Sequence, residues 1–105
     1  MYEKKDKVLE YLVDAAKKQP LIKRVVLFGS RVRGDHHDRS DYDVAVESEN
    51  MSHSDWAAWA SGVREKVPTL CGLDLIWVNQ CLSKGLLEKI VLEGKAIYEQ
   101  KKYTQ

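Results

Sequence analysis

Apolar positions near the start of the chain recur every three or four residues. Val8, Leu9, Leu12, Val13 and Ala16 keep that spacing, which predicts an amphipathic helix over residues 3–18, stopped by Pro20. The next apolar run, VVLF from Val25 to Phe28, is short, β-branched and bounded by Arg24 and Gly29, so it reads as a buried strand. After Gly29-Ser30, residues 30–33 fit a short helix ended by Gly34, and DHHDRS is a loop by composition. DYDVAVES alternates. Asp41, Asp43, Ala45 and Glu47 point one way and Tyr42, Val44 and Val46 the other, which is a strand with an acidic front and an apolar back. Ser52 or Ser54 can cap a helix starting near Ser54-Asp55-Trp56, with Trp56, Trp59, Ala60, Val63 and Val67 along one side and Pro68 at its end. LDLIWV, Leu73 to Val78, is a third strand. Ser83 opens a last helix through Leu86, Leu87, Ile90 and Val91, with Gly94 as its C-cap, and Ala96-Ile97-Tyr98 fits a short edge strand.

That order makes a single α/β domain over residues 1–105, with a small sheet, helices over its apolar back and the polar face left open. The chain is 44% hydrophobic and 31% charged, as ordinary globular proteins are. A formal charge of +1 argues against a surface built to grip nucleic acid. No apolar run reaches the ~20 residues of a membrane span, and MYEKKDKVLEYL lacks a signal peptide's apolar core. Cys71 and Cys81 form neither a disulfide framework nor a metal-ligand spacing. Reduced, partly buried cysteines fit a cytoplasmic location.

The chemistry concentrates in LFGSRVRGDHHDRSDYDVAV. Asp41 and Asp43, at i and i+2 on a strand, share one face, where two carboxylates repel unless a cation intervenes. Magnesium takes such hard oxygen ligands and shares them with substrate phosphates, and two ions can clamp a phosphoryl displacement. Gly29 lets the backbone turn sharply off the preceding strand, and Ser30 places a hydroxyl where phosphate oxygens can be held. Arg31 and Arg33 follow at once, with guanidinium groups suited to phosphate. Asp74 interrupts the apolar strand LDLIWV; if that strand lies beside DYDVAVES, Asp74 joins the acidic face as a third metal ligand and helps take a proton from an attacking hydroxyl. Any one of these features is commonplace. Their combination at these spacings is specific.

Gly29-Ser30, ten intervening residues and Asp41-Tyr42-Asp43 resemble the signature of the DNA polymerase β-like nucleotidyltransferases. With LDLIWV downstream, nearly the whole chain is similar to the minimal nucleotidyltransferases of that superfamily. The resemblance implies a small mixed β-sheet with flanking α-helices, dependence on two Mg²⁺ ions, and transfer of a nucleoside monophosphate, by default AMP from ATP, with release of pyrophosphate. It implies triphosphate contacts for Gly29 and Ser30, both metals for Asp41 and Asp43, and the catalytic metal for Asp74. Arg31 and Arg33 stand where the family often carries basic residues. One departure is Tyr42, at a position where the family often has Ile, Leu or Val; it points to the strand's back.

Larger relatives carry a further domain that grips base or acceptor, and this short chain leaves no room for one, so a second chain or a second copy is expected to complete the site. Minimal nucleotidyltransferases are often paired with a HEPN-domain protein, in several cases a toxic RNase that its antitoxin modifies with AMP on a tyrosine. The competing acceptors are an aminoglycoside-like small molecule or an RNA end, and a non-catalytic HEPN-binding module is the third reading. His36 and His37 fit a solvated loop better than a zinc site. Trp56 and Trp59 fit packing or a partner surface, Trp77 fits core, and Lys84 and Lys89 fit surface charge.

Overall fold

The computed structural model describes residues 6–35 and 40–101. The first helix, α1, spans Lys7–Lys17, and residues 3–5 of the expected helix lie outside the described residues. Asp6 opens it: its carboxylate accepts from the amides of Val8 (2.9 Å) and Leu9 (3.1 Å), which makes it the N-cap. The apolar stripe Val8, Leu9, Leu12, Val13 and Ala16 is buried as a unit.

Strand β1 runs Ile22–Phe28, three residues earlier than VVLF alone indicates. Lys23 and Arg24 mask its start, although Ile22 is fully buried and pairs with Ser48. Helix α2 (Ser30–Arg33) ends at Gly34 in left-handed backbone, as the glycine foretells. Strand β2 is Tyr42–Ser48 and helix α3 is His53–Lys66, capped by Ser52, whose hydroxyl accepts from the Asp55 amide at 3.0 Å. Strand β3 (Leu73–Trp77) gives way to a 3-10 turn at Val78–Gln80, so Val78 leaves the strand. Helix α4 (Lys84–Glu93) and strand β4 (Lys95–Glu99) complete the order.

The four strands form one mixed sheet ordered β3-β2-β1-β4. β1 is antiparallel to both β2 and β4, whereas β2 and β3 are parallel, joined across α3. The back of the sheet holds the main core, where α1 and α3 meet Val25, Leu27, Tyr42, Val44, Val46, Leu75 and Trp77. Trp56 stacks on Trp77 at 5.1 Å between ring centroids, and the Trp59 indole donates to the Ala15 carbonyl at 3.1 Å. Both tryptophans of α3 are therefore packing groups.

The front face departs from the expectation of an open polar surface. α4 lies across part of it, and Ile90 joins Val26, Phe28 and Ala45 in a second core, with Leu86 and Ile76 packed against it. Ala45, on the acidic side of the alternation, is 1% exposed. β1 is thus covered on both faces, which explains its unbroken apolar run. Gly94 caps α4, but with extended backbone (φ −68°, ψ 147°) rather than left-handed. Its role is clearance: a side chain there would overlap the Ile90 carbonyl oxygen and the Val26 methyl.

Candidate active site

The uncovered part of the front face is where β2 and β3 begin and β1 ends. Parallel pairing sets Asp43 opposite Asp74 in register, next to the Tyr42–Leu73 pair, so the third aspartate does stand beside the strand-borne pair. Antiparallel pairing sets Phe28 opposite Asp43, which brings the Gly29 turn to the same end of the sheet. Asp41 lies one residue before β2. Asp74 is exposed although Leu73 and Leu75 beside it are apolar, and among the described residues β3 is an edge strand.

Each carboxylate of the Asp-x-Asp pair rests against a glycine. Gly29, buried and at φ 84°, sits so close to Asp43 that a Cβ would overlap Oδ2 and lie 3.2 Å from Cγ. Its backbone is one that L side chains rarely adopt, so both conformation and space demand glycine there. On the other flank, Asp41 leans over Gly72, just before β3. The two carboxylates thus spread towards opposite neighbours of β2. Among the described residues no three His, Cys, Asp or Glu side chains converge as a finished metal centre.

Burial pushes the Asp43 carboxyl above its usual range, Asp74 adds to the push and Asp41 contributes further, while Lys89 and Arg33 pull it back. Asp43 is therefore a carboxylate whose charge is partly desolvated and crowded by like charges, and a cation relieves both. That is the environment in which a hard divalent ion is welcome, and the donor set, all carboxylate oxygen, is of the type magnesium prefers.

The two arginines divide. Arg33 donates to Asp35 (3.2 Å) and to Glu93 on α4 (3.1 Å), on the same side as Asp43. Arg31 is not brought into that group. Its guanidinium lies 3.9 Å from the centre of the Tyr42 ring, in the back layer, and donates to the Ser40 carbonyl at 3.1 Å. Tyr42 itself donates from its hydroxyl to Asp6 at 3.1 Å. The tyrosine thus links the cap of α1, the second strand and the α2 arginine. Ser30 opens α2 directly after Gly29, at the end of β1 nearest Asp43. His36 and His37 lie outside the described residues.

A family profile described as polymerase beta, nucleotidyltransferase matches residues 10–103. The chain belongs to this family. Among curated proteins none matches the sequence. Several solved structures share the nucleotidyltransferase fold. A toxin–antitoxin complex with AMP-PNP aligns at TM-score 0.69 and 21% identity, covering 89% of this chain and 74% of that one. A MntA–HepT toxin–antitoxin complex aligns at TM-score 0.64 and 18% identity, with 89% and 71% covered. A tri-AMPylated Shewanella oneidensis HEPN toxin in complex with its MNT antitoxin gives the same TM-score of 0.64 at 18% identity, again with 89% and 71% covered. At such identities the likeness is one of fold.

Lys89 is exposed, as the sequence reading has it, and its charge also acts on the Asp43 carboxyl. It lies on α4 between Leu86 and Ile90, which pack on the front core, and Glu93, which holds Arg33. That places it on the front side of the sheet, where its charge pulls the Asp43 carboxyl down. The available signal was helical spacing, since Leu86, Lys89, Ile90 and Glu93 fall at i, i+3, i+4 and i+7 on one face. What spacing alone withheld was which face of the sheet α4 covers.

Proposed function

We propose that this protein is a Mg²⁺-dependent nucleotidyltransferase that transfers AMP from ATP to a hydroxyl of a HEPN-domain partner, releases pyrophosphate and so acts as that partner's antitoxin in the cytoplasm. The observation that carries the reading is the in-register pairing of Asp43 with Asp74 on parallel strands, with Asp41 two residues away and the Gly29 turn against Asp43. Family membership supports the reaction class, and the neighbours of similar fold that hold AMP-PNP or an AMPylated HEPN toxin support ATP and a protein acceptor.

Asp41, Asp43 and Asp74 would hold the two ions. The raised Asp43 carboxyl and the absence of any N or S donor among them suit Mg²⁺. Magnesium bound there supplies positive charge to the triphosphate and favours the ionised form of an attacking hydroxyl. The protein's own groups bind and orient. Gly29 lets the phosphates approach the backbone, and the Ser30 hydroxyl, at the start of α2, offers a neutral donor for their oxygens. Arg33 and Lys89 offer cations from α2 and α4 on the leaving-group side. Arg33 exchanges exposed carboxylate partners for phosphate at little cost, since exposed ion pairs are worth under about 1 kcal/mol. Asp74, exposed on the edge strand, would draw the proton from the acceptor hydroxyl as the new P–O bond forms and pyrophosphate leaves. Arg31 we assign to holding the Ser40 end of the loop through Tyr42.

The deciding test incubates the protein with α-labelled ATP, Mg²⁺ and the HEPN protein of a neighbouring gene. Label should move to the partner and should be lost in the Asp41→Asn/Asp43→Asn variant. Neutralisation of the partner by that variant, without label transfer by wild type, would replace the enzyme with a binding module.

A further inference from the structure

Gly72 is exposed, ends the loop before β3 and accepts from the Tyr42 amide through its carbonyl at 2.8 Å. Its backbone does not call for glycine: among the described residues, positive φ occurs only at Gly29 and Gly34. Space does. A Cβ at Gly72 would overlap Asp41 Oδ1 and lie 2.8 Å from Cγ and 3.1 Å from Oδ2, so the whole carboxylate rests on the glycine. The geometry points to Gly72 as a positioning residue that holds the Asp41 carboxylate in its metal-binding orientation, an inference that rests on the nucleotidyl-transfer reading above.

The two glycines flanking the Asp-x-Asp pair differ in kind. At Gly29 a side chain would strain the backbone and crowd Asp43 together, so substitution there mixes fold with function. At Gly72 the obstructed atoms are the free end of an exposed side chain. A methyl group can be accommodated by rotating Asp41 about χ1 or χ2, at small cost to the fold. The rotation turns the oxygen lone pairs away from the direction that the bare glycine now allows. An outer residue that orients a ligand commonly carries 10–100-fold, roughly, of the metal affinity. The hydrogen bond from Tyr42 to the Gly72 carbonyl fixes the platform itself, because it ties the end of the loop to the first residue of β2.

The test compares wild type, Gly72→Ala, Asp41→Asn and the double variant. Mn²⁺ binding is measured by calorimetry with and without AMP-PNP, and folding by circular dichroism. Gly72→Ala should unfold at or slightly above the wild-type temperature, since alanine lowers the entropy of the unfolded chain. Its Mn²⁺ affinity should fall about tenfold or more. In the Asp41→Asn background it should cost nothing further, because its effect runs through that carboxylate. Wild-type Mn²⁺ affinity in Gly72→Ala, an additive loss in the double variant, or a Gly72→Ala protein that fails to fold would each overturn the inference. If wild type neither binds Mn²⁺ nor transfers nucleotide, the reading of the active site itself fails. A working wild type beside an unaffected Gly72→Ala sinks the inference alone.

Discussion

Arg33 spends its charge on Asp35 and Glu93, while Lys89 makes no ion pair among the described residues. On the proposed reading, a triphosphate beside Asp43 would meet one cation that must exchange partners and one that need not. Replacing Lys89 with Met should raise the KM for ATP about tenfold, the scale of one charge-assisted contact. Folding, followed by circular dichroism, should be unchanged. Arg31→Ala should behave in the opposite way: it removes a cation–π contact and a hydrogen bond within the protein, costing about 1 kcal/mol in urea unfolding, with KM for ATP near wild type. A pattern in which Arg31 moves KM and Lys89 does not would reverse these assignments. The Gly-Ser turn and the Asp-x-Asp pair were legible because each is local, with its meaning contained in a few adjacent residues. Lys89 was not, since its position depends on a helix laid down after β3 folding back across the sheet front.

Tyr42 does at the element level what an aliphatic residue cannot. Its ring fills the back core and carries Arg31, while its hydroxyl reaches the cap of α1. Burial first, then the Asp6 carboxylate, push its phenol up to about 12. An unfolded tyrosine titrates near 10, roughly, so the folded form keeps its proton longer. Stability is undiminished below about pH 10 and is lost as pH rises towards 12, because the unfolded chain releases that proton more readily. Tyr42→Phe should lose about 1 kcal/mol at neutral pH and lack this part of the alkaline loss in urea melts. Gly94→Ala should cost about 1–3 kcal/mol, because the obstruction is a backbone carbonyl and a core methyl that cannot swing aside. Element boundaries followed the purity of their patterns. β2 alternates cleanly and ends at Ser48 as its pattern indicates, with only Asp41 falling outside it, whereas charged Lys23 and Arg24 hid the start of β1. A hydrophobic stripe states that a helix packs and leaves open what it packs upon, so the second core under α4 was beyond the pattern; Ala45 amid acidic neighbours was its only trace.

Among the described residues no helix is long and apolar enough to cross a membrane. Three aspartates gather at one end of the sheet, Asp43 and Asp74 on adjoining parallel strands and Asp41 one residue before β2. A ligand that binds only the folded form must stabilise it. Mg²⁺ with AMP-PNP should raise the unfolding temperature by several degrees, by about 2.7 kcal/mol at a hundredfold excess over Kd. EDTA should abolish the shift, and Asp41→Asn/Asp43→Asn should show none. The parallel join between β2 and β3 has a further consequence, in time. Antiparallel β1 and β2 can pair across a short connection, but β3 must wait for α3 to form and carry the chain back, a closure of greater sequence separation. Asp74 thus reaches Asp43 only after the first hairpin-like unit has its core. The carboxylates therefore meet across a longer closure than the one that joins β1 to β2, and β4, which pairs with β1 across a longer separation still, completes the sheet around them.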